Sequence, residues 1–443
     1  MEQRTINANP TKEFFVNMLV RDIQLKQAVI ELIDNSIDGA KRIRNTGDYT
    51  GLTINVSFNA EEFRIKDNCG GIPLDVAENY AFRFGRPKNA KLSNNVETTG
   101  IFGIGMKRAL FKLGNKFTII SDTKASHFKV TVDVIKWITN DDNGSWDFEF
   151  EEYEDNMNNS YTGTEIIVTN LHREISSELG SETFCKELKE HAQKRVGLDI
   201  YNGTTIKING EELLGDSISL VNSESVHPIK ETYTHGDVYV TIIAGTTSKN
   251  EKTNNYEPEK AGWYIYCNDR LVVAADKTSL TTWKDAENKN NGVLFHNTYA
   301  PFRGAVYFNS NKPDQLPWNT TKTGIDDNSA VYIEAKSKML DIFQIVKGFL
   351  EKVKDNSDTK GDSIEETISR MPSTTLTKKA IKDDITVNKE LSITKVKPKV
   401  ENLVTISYKK PKKEVDMLKK ALGVSSNADV GKLTFDYYKD MEL

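Results

Sequence analysis

Apolar residues recur at three- and four-residue steps through Leu25, Ala28, Val29, Leu32, Ile33, Ser36 and Ala40. That period predicts an amphipathic helix over residues 23–44, with Asp22 as its N-cap and residues 1–21 as an extended arm ahead of it. The period then changes to two. Leu52, Ile54, Val56 and Phe58 alternate with other positions, which predicts a strand over 52–58, and a second follows at 62–66 before a Gly-Gly turn. Residues 82–99 are polar and rich in Gly, Asn and Lys, and read as a mobile loop. A helix at 105–112 and strands at 117–121, 128–134, 146–153 and 164–169 complete a mixture whose natural packing is an α/β sandwich. A helix at 182–195 leads to a second α/β region. Its strands are expected at 205–208, 238–244, 263–267 and 305–309, and a long helix at 331–354 closes it. The partition expected is 1–175, 176–354, a Ser/Thr/Lys/Asp-rich linker at 355–401, and a small β-α-α unit at 402–443.

Composition changes this picture in few places. The 443 residues suit two to three domains, and 37% hydrophobic with 28% charged residues is enough apolar mass for ordinary cores. The net charge of −5 excludes an overall basic coat for nucleic acid. Cys69, Cys185 and Cys267 form no C-x-x-C pair, so neither a zinc site nor a disulfide framework is expected, and a reduced, cytoplasmic setting is. The N-terminus lacks the apolar core of a secretory signal, and no run approaches the ~20 apolar residues of a membrane span. Residues 377–420 hold thirteen lysines against six acidic residues. A solubilising linker is the preferred reading there, and contact with a phosphate backbone is the other.

Three segments carry candidate chemistry. On the first helix Glu31, Asn35 and Asp38 fall at i, i+4 and i+7 on a stripe apart from the apolar face. Such a stripe is either a solvated face, or a carboxylate base beside a carboxamide suited to Mg²⁺. In IKDNCGGIP a strand runs into Asp67 and turns through Gly70 and Gly71. This is a turn with a capping aspartate, or a carboxylate placed to accept from an adenine amino group. In TTGIFGIGMKRALFKLG, glycines at 100, 103 and 105 open a helix whose N–H groups attract phosphate, with Lys107 and Arg108 adding charge. It is not a Walker A loop, since no G-K-[ST] follows.

In this order and spacing the segments resemble the GHKL superfamily of gyrase, Hsp90 chaperones, histidine kinases and MutL. The resemblance implies a Bergerat-type α/β sandwich that binds ATP and Mg²⁺. It implies Glu31 as the water-activating base, Asn35 as the Mg²⁺ ligand and Asp38 as a nearby acid. It also implies Asp67 and Gly71 as adenine-site residues, and Gly100, Gly103, Gly105, Met106 and Lys107 as the phosphate box after a lid at 82–99. Thr164 in TGTEIIV would support adenine binding. Cys69 departs from the D-x-G-x-G pattern, which leaves the shape of that turn open.

The likeness continues beyond the nucleotide domain. GWYIYCNDRLV (262–272) resembles a strand–turn–strand of the second domain of MORC-type ATPases, itself similar to the S5-like transducer. PWNTTKTGID (317–326) lies where transducers carry a phosphate-sensing lysine, which makes Lys322 the second catalytic candidate. No histidine precedes residue 127, so a sensor kinase with an upstream phosphoacceptor helix is not expected. The resemblance implies a nucleotide-dependent homodimeric clamp, with duplex DNA as a candidate partner through the basic C-terminal region. The last forty residues resemble a ribbon–helix–helix dimerisation unit. An ATP-dependent chaperone or signalling switch acting on proteins, and a non-hydrolysing nucleotide sensor, are the competing readings.

Overall fold

The computed structural model describes residues 10–44, 47–85, 104–140, 145–284, 293–319, 322–355, 364–385 and 406–442. The chain divides into two compact units, Met1–Lys395 and Val396–Leu443.

In the first unit α1 (Lys12–Arg21) is followed at once by α2 (Leu25–Ile43). The expected extended arm is therefore helical from Lys12, capped by the Thr11 side chain, which accepts from Phe14 N. Asp22 ends α1 rather than starting α2, whose cap is a reciprocal pair between Gln24 and Gln27. Then come β1 (Thr53–Phe58), β2 (Phe63–Asp67), α3 (Leu74–Val76), α4 (Gly105–Leu113), β3 (Gly114–Asp122), β4 (Ser126–Asp133), α5 (Val134–Thr139), β5 (Phe150–Asp155) and β6 (Gly163–Leu171). After these run α6 (Arg173–Leu179), α7 (Glu182–Arg195), α8 (Gly197–Tyr201), β7 (Thr205–Ile208) and β8 (Glu211–Glu212).

These strands make one eight-stranded sheet in the order β5-β4-β3-β6-β2-β1-β7-β8. Its strands bury alternate residues, because helices cover one face only. Val29, Ile33, Ala109 and Leu110 from α2 and α4 join Ile54, Phe63, Phe117 and Val168 in a single core. The first half of the chain is thus a helix-on-sheet sandwich. β7, which the sequence places in the second region, runs parallel to β1 and belongs to this sheet.

The second sheet is built from β10 (Ile229–His235), β11 (Val238–Thr246), β12 (Gly262–Cys267), β13 (Arg270–Asp276) and β14 (Phe302–Asn309), in the order β10-β11-β14-β12-β13. β12 is buried at every position. Strands read as continuous apolar runs when both faces are covered, and here they are. The long helix α9 (Ala330–Asp355) packs Tyr332, Met339 and Phe343 on one face. Leu198 of α8 with Leu376 and Ile385 covers the other. Leu376 and Ile385 lie in the stretch read as linker. There α10 (Ile364–Ser369) precedes β15 (Ser373–Thr375), which pairs with β9 (Ser219–Val221). That part of the expected linker is therefore structured.

In the second unit α11 (Lys412–Leu422) ends on Gly423 in the left-handed region, φ 68°, and α12 (Asn427–Glu442) follows. The described residues 406–410 ahead of them form no strand, so the expected β-α-α pattern is α-α where it is described. No described helix is long and apolar enough to cross a membrane.

Candidate functional site

The amphipathic pattern of α2 suggests a helix with one wet face. Instead Glu31, Asp34, Asp38 and Lys41 are all buried, each less than 5% exposed. Buried charges need partners, and the second sheet supplies them. Lys322, in the loop after β14, places Nζ 3.2 Å from Glu31 Oε2. Arg270, the first residue of β13, directs NH1 to Glu31 Oε1 at 3.5 Å and pairs more closely with Asp34. Burial alone would raise the Glu31 carboxyl, but Lys322, Arg270 and Arg108 together outweigh it and hold it below the ordinary carboxylate value. Asp34 goes the other way, pushed up to about 6 by burial, which the Arg270 charge offsets only in part and the Glu31 charge reinforces.

The start of α4 closes on the same carboxylate. A Cβ added at Gly105 would stand 2.4 Å from Glu31 Oε2, so only glycine lets the helix N-terminus and the carboxylate approach this closely. Gly105→Ala is therefore expected to displace Glu31 and lower ATP turnover by about 10–100-fold. The melting temperature should barely change, since alanine is a good residue early in a helix. Unaltered turnover would show that the contact has no catalytic bearing.

One turn beyond Glu31, Asn35 holds its side-chain Nδ2 buried without a hydrogen-bond partner. Arg108 Nε and Arg270 Nε are in the same condition. Three unpartnered buried polar atoms around one carboxylate suit a site made for a polar, phosphate-bearing ligand. Among the described residues no group of three or more His, Cys, Asp or Glu is arranged to hold a metal ion.

Asp67 ends β2 against Ser36 of α2. Its carboxylate accepts from Ser36 Oγ at 2.6 Å, Cys69 N at 2.9 Å and Thr164 N at 3.1 Å. Burial nevertheless raises its pKa above the ordinary value, against the lowering effect of those three donors. Thr164 thus supports Asp67 through its main chain. Left-handed backbone falls on Gly70 (φ 94°) and Gly71 (φ 72°), which leaves Cys69 free to carry a side chain. A Cβ at Gly71 would lie 2.2 Å from the Asp122 carbonyl oxygen, so β3 presses directly on the turn.

Lys107 sits elsewhere than its place in the motif suggests. It is almost completely buried, with Nζ donating to the carbonyls of Ala81 at 2.8 Å and Arg83 at 2.6 Å. Burial pushes its ammonium down to about 7. Met106 packs against the sandwich core, and Asp38 lies buried where its charge acts on Lys41 and Asp34. Gly100 and Gly103 lie outside the described residues, as do residues 86–99 of the expected lid.

Sequence reasoning did not find Arg270 or Asp34. The signal available was an arginine opening an apolar strand after an Asn-Asp turn, opposite an acidic residue three positions from Glu31.

Residues 23–164 match the family model described as histidine kinase-, DNA gyrase B-, and HSP90-like ATPase. The match covers α2, the Asp67 turn and α4, and ends at Thr164. The match identifies a GHKL-type ATPase domain in that stretch, which supports ATP binding. No curated protein matches the chain.

Proposed function

We propose that this domain binds ATP with Mg²⁺ and hydrolyses it, with Glu31 as the general base and Lys322 as the cation for the γ-phosphate. The observation that carries the reading is the convergence on one buried carboxylate of α2, the glycine start of α4 and a lysine from the second sheet's loop. Glu31 accepts the proton of the water that attacks the γ-phosphorus. The bond to the β–γ bridging oxygen breaks and ADP leaves. Asn35 offers its amide oxygen to Mg²⁺, which when bound neutralises phosphate charge. Asp67 receives the adenine amino group, and its three donors keep its orientation fixed.

Lys322 cannot serve both Glu31 and a phosphate in one position, so its transfer from one to the other would pull on the five-stranded sheet. That supports a role for this sheet as an S5-like transducer in a MORC-like ATPase. A nucleotide-dependent homodimeric clamp, acting on duplex DNA through residues 377–420, completes the proposal. On α11 and α12, Met417, Phe435, Tyr437 and Tyr438 are exposed, which favours further association through the C-terminal unit.

The test is phosphate release from Mg·ATP with and without duplex DNA, beside direct ATP titration, for wild type and Lys322→Ala. We expect binding in both proteins, with release reduced by about 10²–10³-fold in the variant. Binding without release in the wild type under every condition would sink the hydrolase reading. Release indifferent to DNA would sink the DNA clamp.

A further inference from the structure

Arg270 has no part in the reading above, yet it is among the most constrained side chains in the molecule. It is 3% exposed, and its guanidinium lies between two carboxylates of α2 that are three residues apart, Asp34 and Glu31. The two oxygens of Glu31 are not equivalent. Oε2 faces Lys322 and the Gly105 start of α4, whereas Oε1 faces Arg270. The oxygen turned to the phosphate-binding helix is thus the one that Lys322 covers, and the oxygen turned to the second sheet is the one that Arg270 touches.

The hairpin that carries Arg270 is itself held rigid. Asn268 and Asp269 turn with φ of 48° and 70°. Asn268 exchanges hydrogen bonds with the Ser310 main chain, 2.9 Å each way, and its carbonyl accepts from Lys41 Nζ at 2.7 Å. A guanidinium on such a base has a defined direction. Its closer pairing with Asp34 offsets part of its positive charge, so that it orients Glu31 while lowering its basicity less than an unpaired guanidinium would. At 3.5 Å the bond to Glu31 stands at the outer limit of a hydrogen bond, which leaves room for it to tighten once Lys322 withdraws.

We propose that Arg270 is a positioning residue for hydrolysis, a carboxylate–guanidinium–carboxylate relay in which Asp34 fixes Arg270 and Arg270 fixes the Glu31 oxygen opposite the reacting one. The proposal rests on Glu31 being the general base. A base held by a side chain of the second sheet works only while that sheet is in register with α2. The relay therefore makes turnover, rather than ATP binding, depend on the docking of the two sheets.

The experiment measures kcat, KM and the ATP dissociation constant for wild type, Arg270→Ala, Arg270→Lys, Asp34→Asn and the Arg270→Ala/Asp34→Asn double variant. Thermal melting of each variant accompanies these. Arg270→Ala is expected to lower kcat by about 10–100-fold while KM and the dissociation constant stay within about threefold. Arg270→Lys should recover part of the loss, since it keeps the charge but not the fork. Asp34→Asn should lower kcat in the same direction, and should cost little more when added to Arg270→Ala. If Arg270→Ala does not fold, the lysine and Asp34→Asn variants carry the test. An unchanged kcat, or a kcat lost in proportion to ATP affinity, overturns the relay. A wild type without Glu31-dependent turnover overturns the hydrolase reading and the relay together. Glu31-dependent turnover that ignores Arg270 overturns the relay alone.

Discussion

Glu31→Ala is expected to lower ATP turnover by about 10²–10⁴-fold, the usual worth of a positioned general base. ATP affinity should be equal to the wild type's or tighter. The second half of that expectation follows from Lys322. In this structure its ammonium pairs with Glu31 Oε2 at 3.2 Å, so any phosphate that recruits Lys322 must compete with Glu31 for it. Deleting the carboxylate removes the competitor and frees the cation. It also leaves the positive charge of Lys322 buried and unpaired, which a phosphate would relieve. Arg270 keeps Asp34 and is less affected. Glu31→Gln separates the two effects. It preserves the volume beside Gly105 but cannot accept a proton, so turnover should fall as in the alanine variant, with a smaller change in affinity. Phosphate release and equilibrium ATP titration on the three proteins decide the matter. Turnover that survives either substitution would assign the base elsewhere, and weaker ATP binding in Glu31→Ala would show that Glu31 and the nucleotide do not compete for Lys322.

The parts of this site that could be read from sequence are those fixed by local chemistry. Gly70 and Gly71 announced the turn at Asp67 because left-handed backbone favours glycine, and both positions are left-handed. Glu31 and Asn35 were legible as a one-turn pair on a helix. What the sequence did not show depends on how two sheets dock. The stripe of Glu31, Asn35 and Asp38 admits a solvated-face reading, and only the β12–β13 turn and Lys322 reveal why Glu31 and Asp38 are buried, with Asp34 and Lys41 beside them. Lys107 follows the glycine box and so suggested phosphate, but the carbonyls of Ala81 and Arg83 receive its Nζ. β10 (IKETYTH) gave too little alternation to stand out, and its place follows from full pairing with β11. β7 pairs with β1 rather than with the strands of the second region, which a four-residue strand cannot announce because it carries no information about its neighbour.

Lys41→Met is expected to destabilise the first unit by about 3–5 kcal/mol, the cost of breaking a buried ionic cluster by removing one partner. Lys41 Nζ lies 3.2 Å from Asp269 and 3.7 Å from Asp199, and all three side chains are nearly inaccessible. Lys378 still reaches Asp269 at 3.1 Å in the absence of Lys41, but Asp199 Oδ1 already lacks a hydrogen-bond partner and would lose its nearest cation. The pH dependence tests this reading. Burial raises Asp199 to about 7 even with Lys41 present, whereas Lys41 and Lys378 outweigh burial at Asp269 and hold it down to about 2. A carboxyl raised above its unfolded value contributes stability at low pH that is lost as pH rises through the folded value. A depressed one contributes above its unfolded value and loses that contribution only as pH falls toward about 2. Without Lys41 both carboxyls move upward, so the variant's deficit should be largest near pH 8 and shrink as the pH is lowered toward 5.5, where Asp199 takes up a proton. Denaturant unfolding of both proteins at the two pH values measures it. A deficit that stays constant with pH, or grows on acidification, would mean that Lys41 stabilises by packing rather than by charge. The cluster would then not be the electrostatic joint that ties α2, and Glu31 with it, to the turn that carries Arg270.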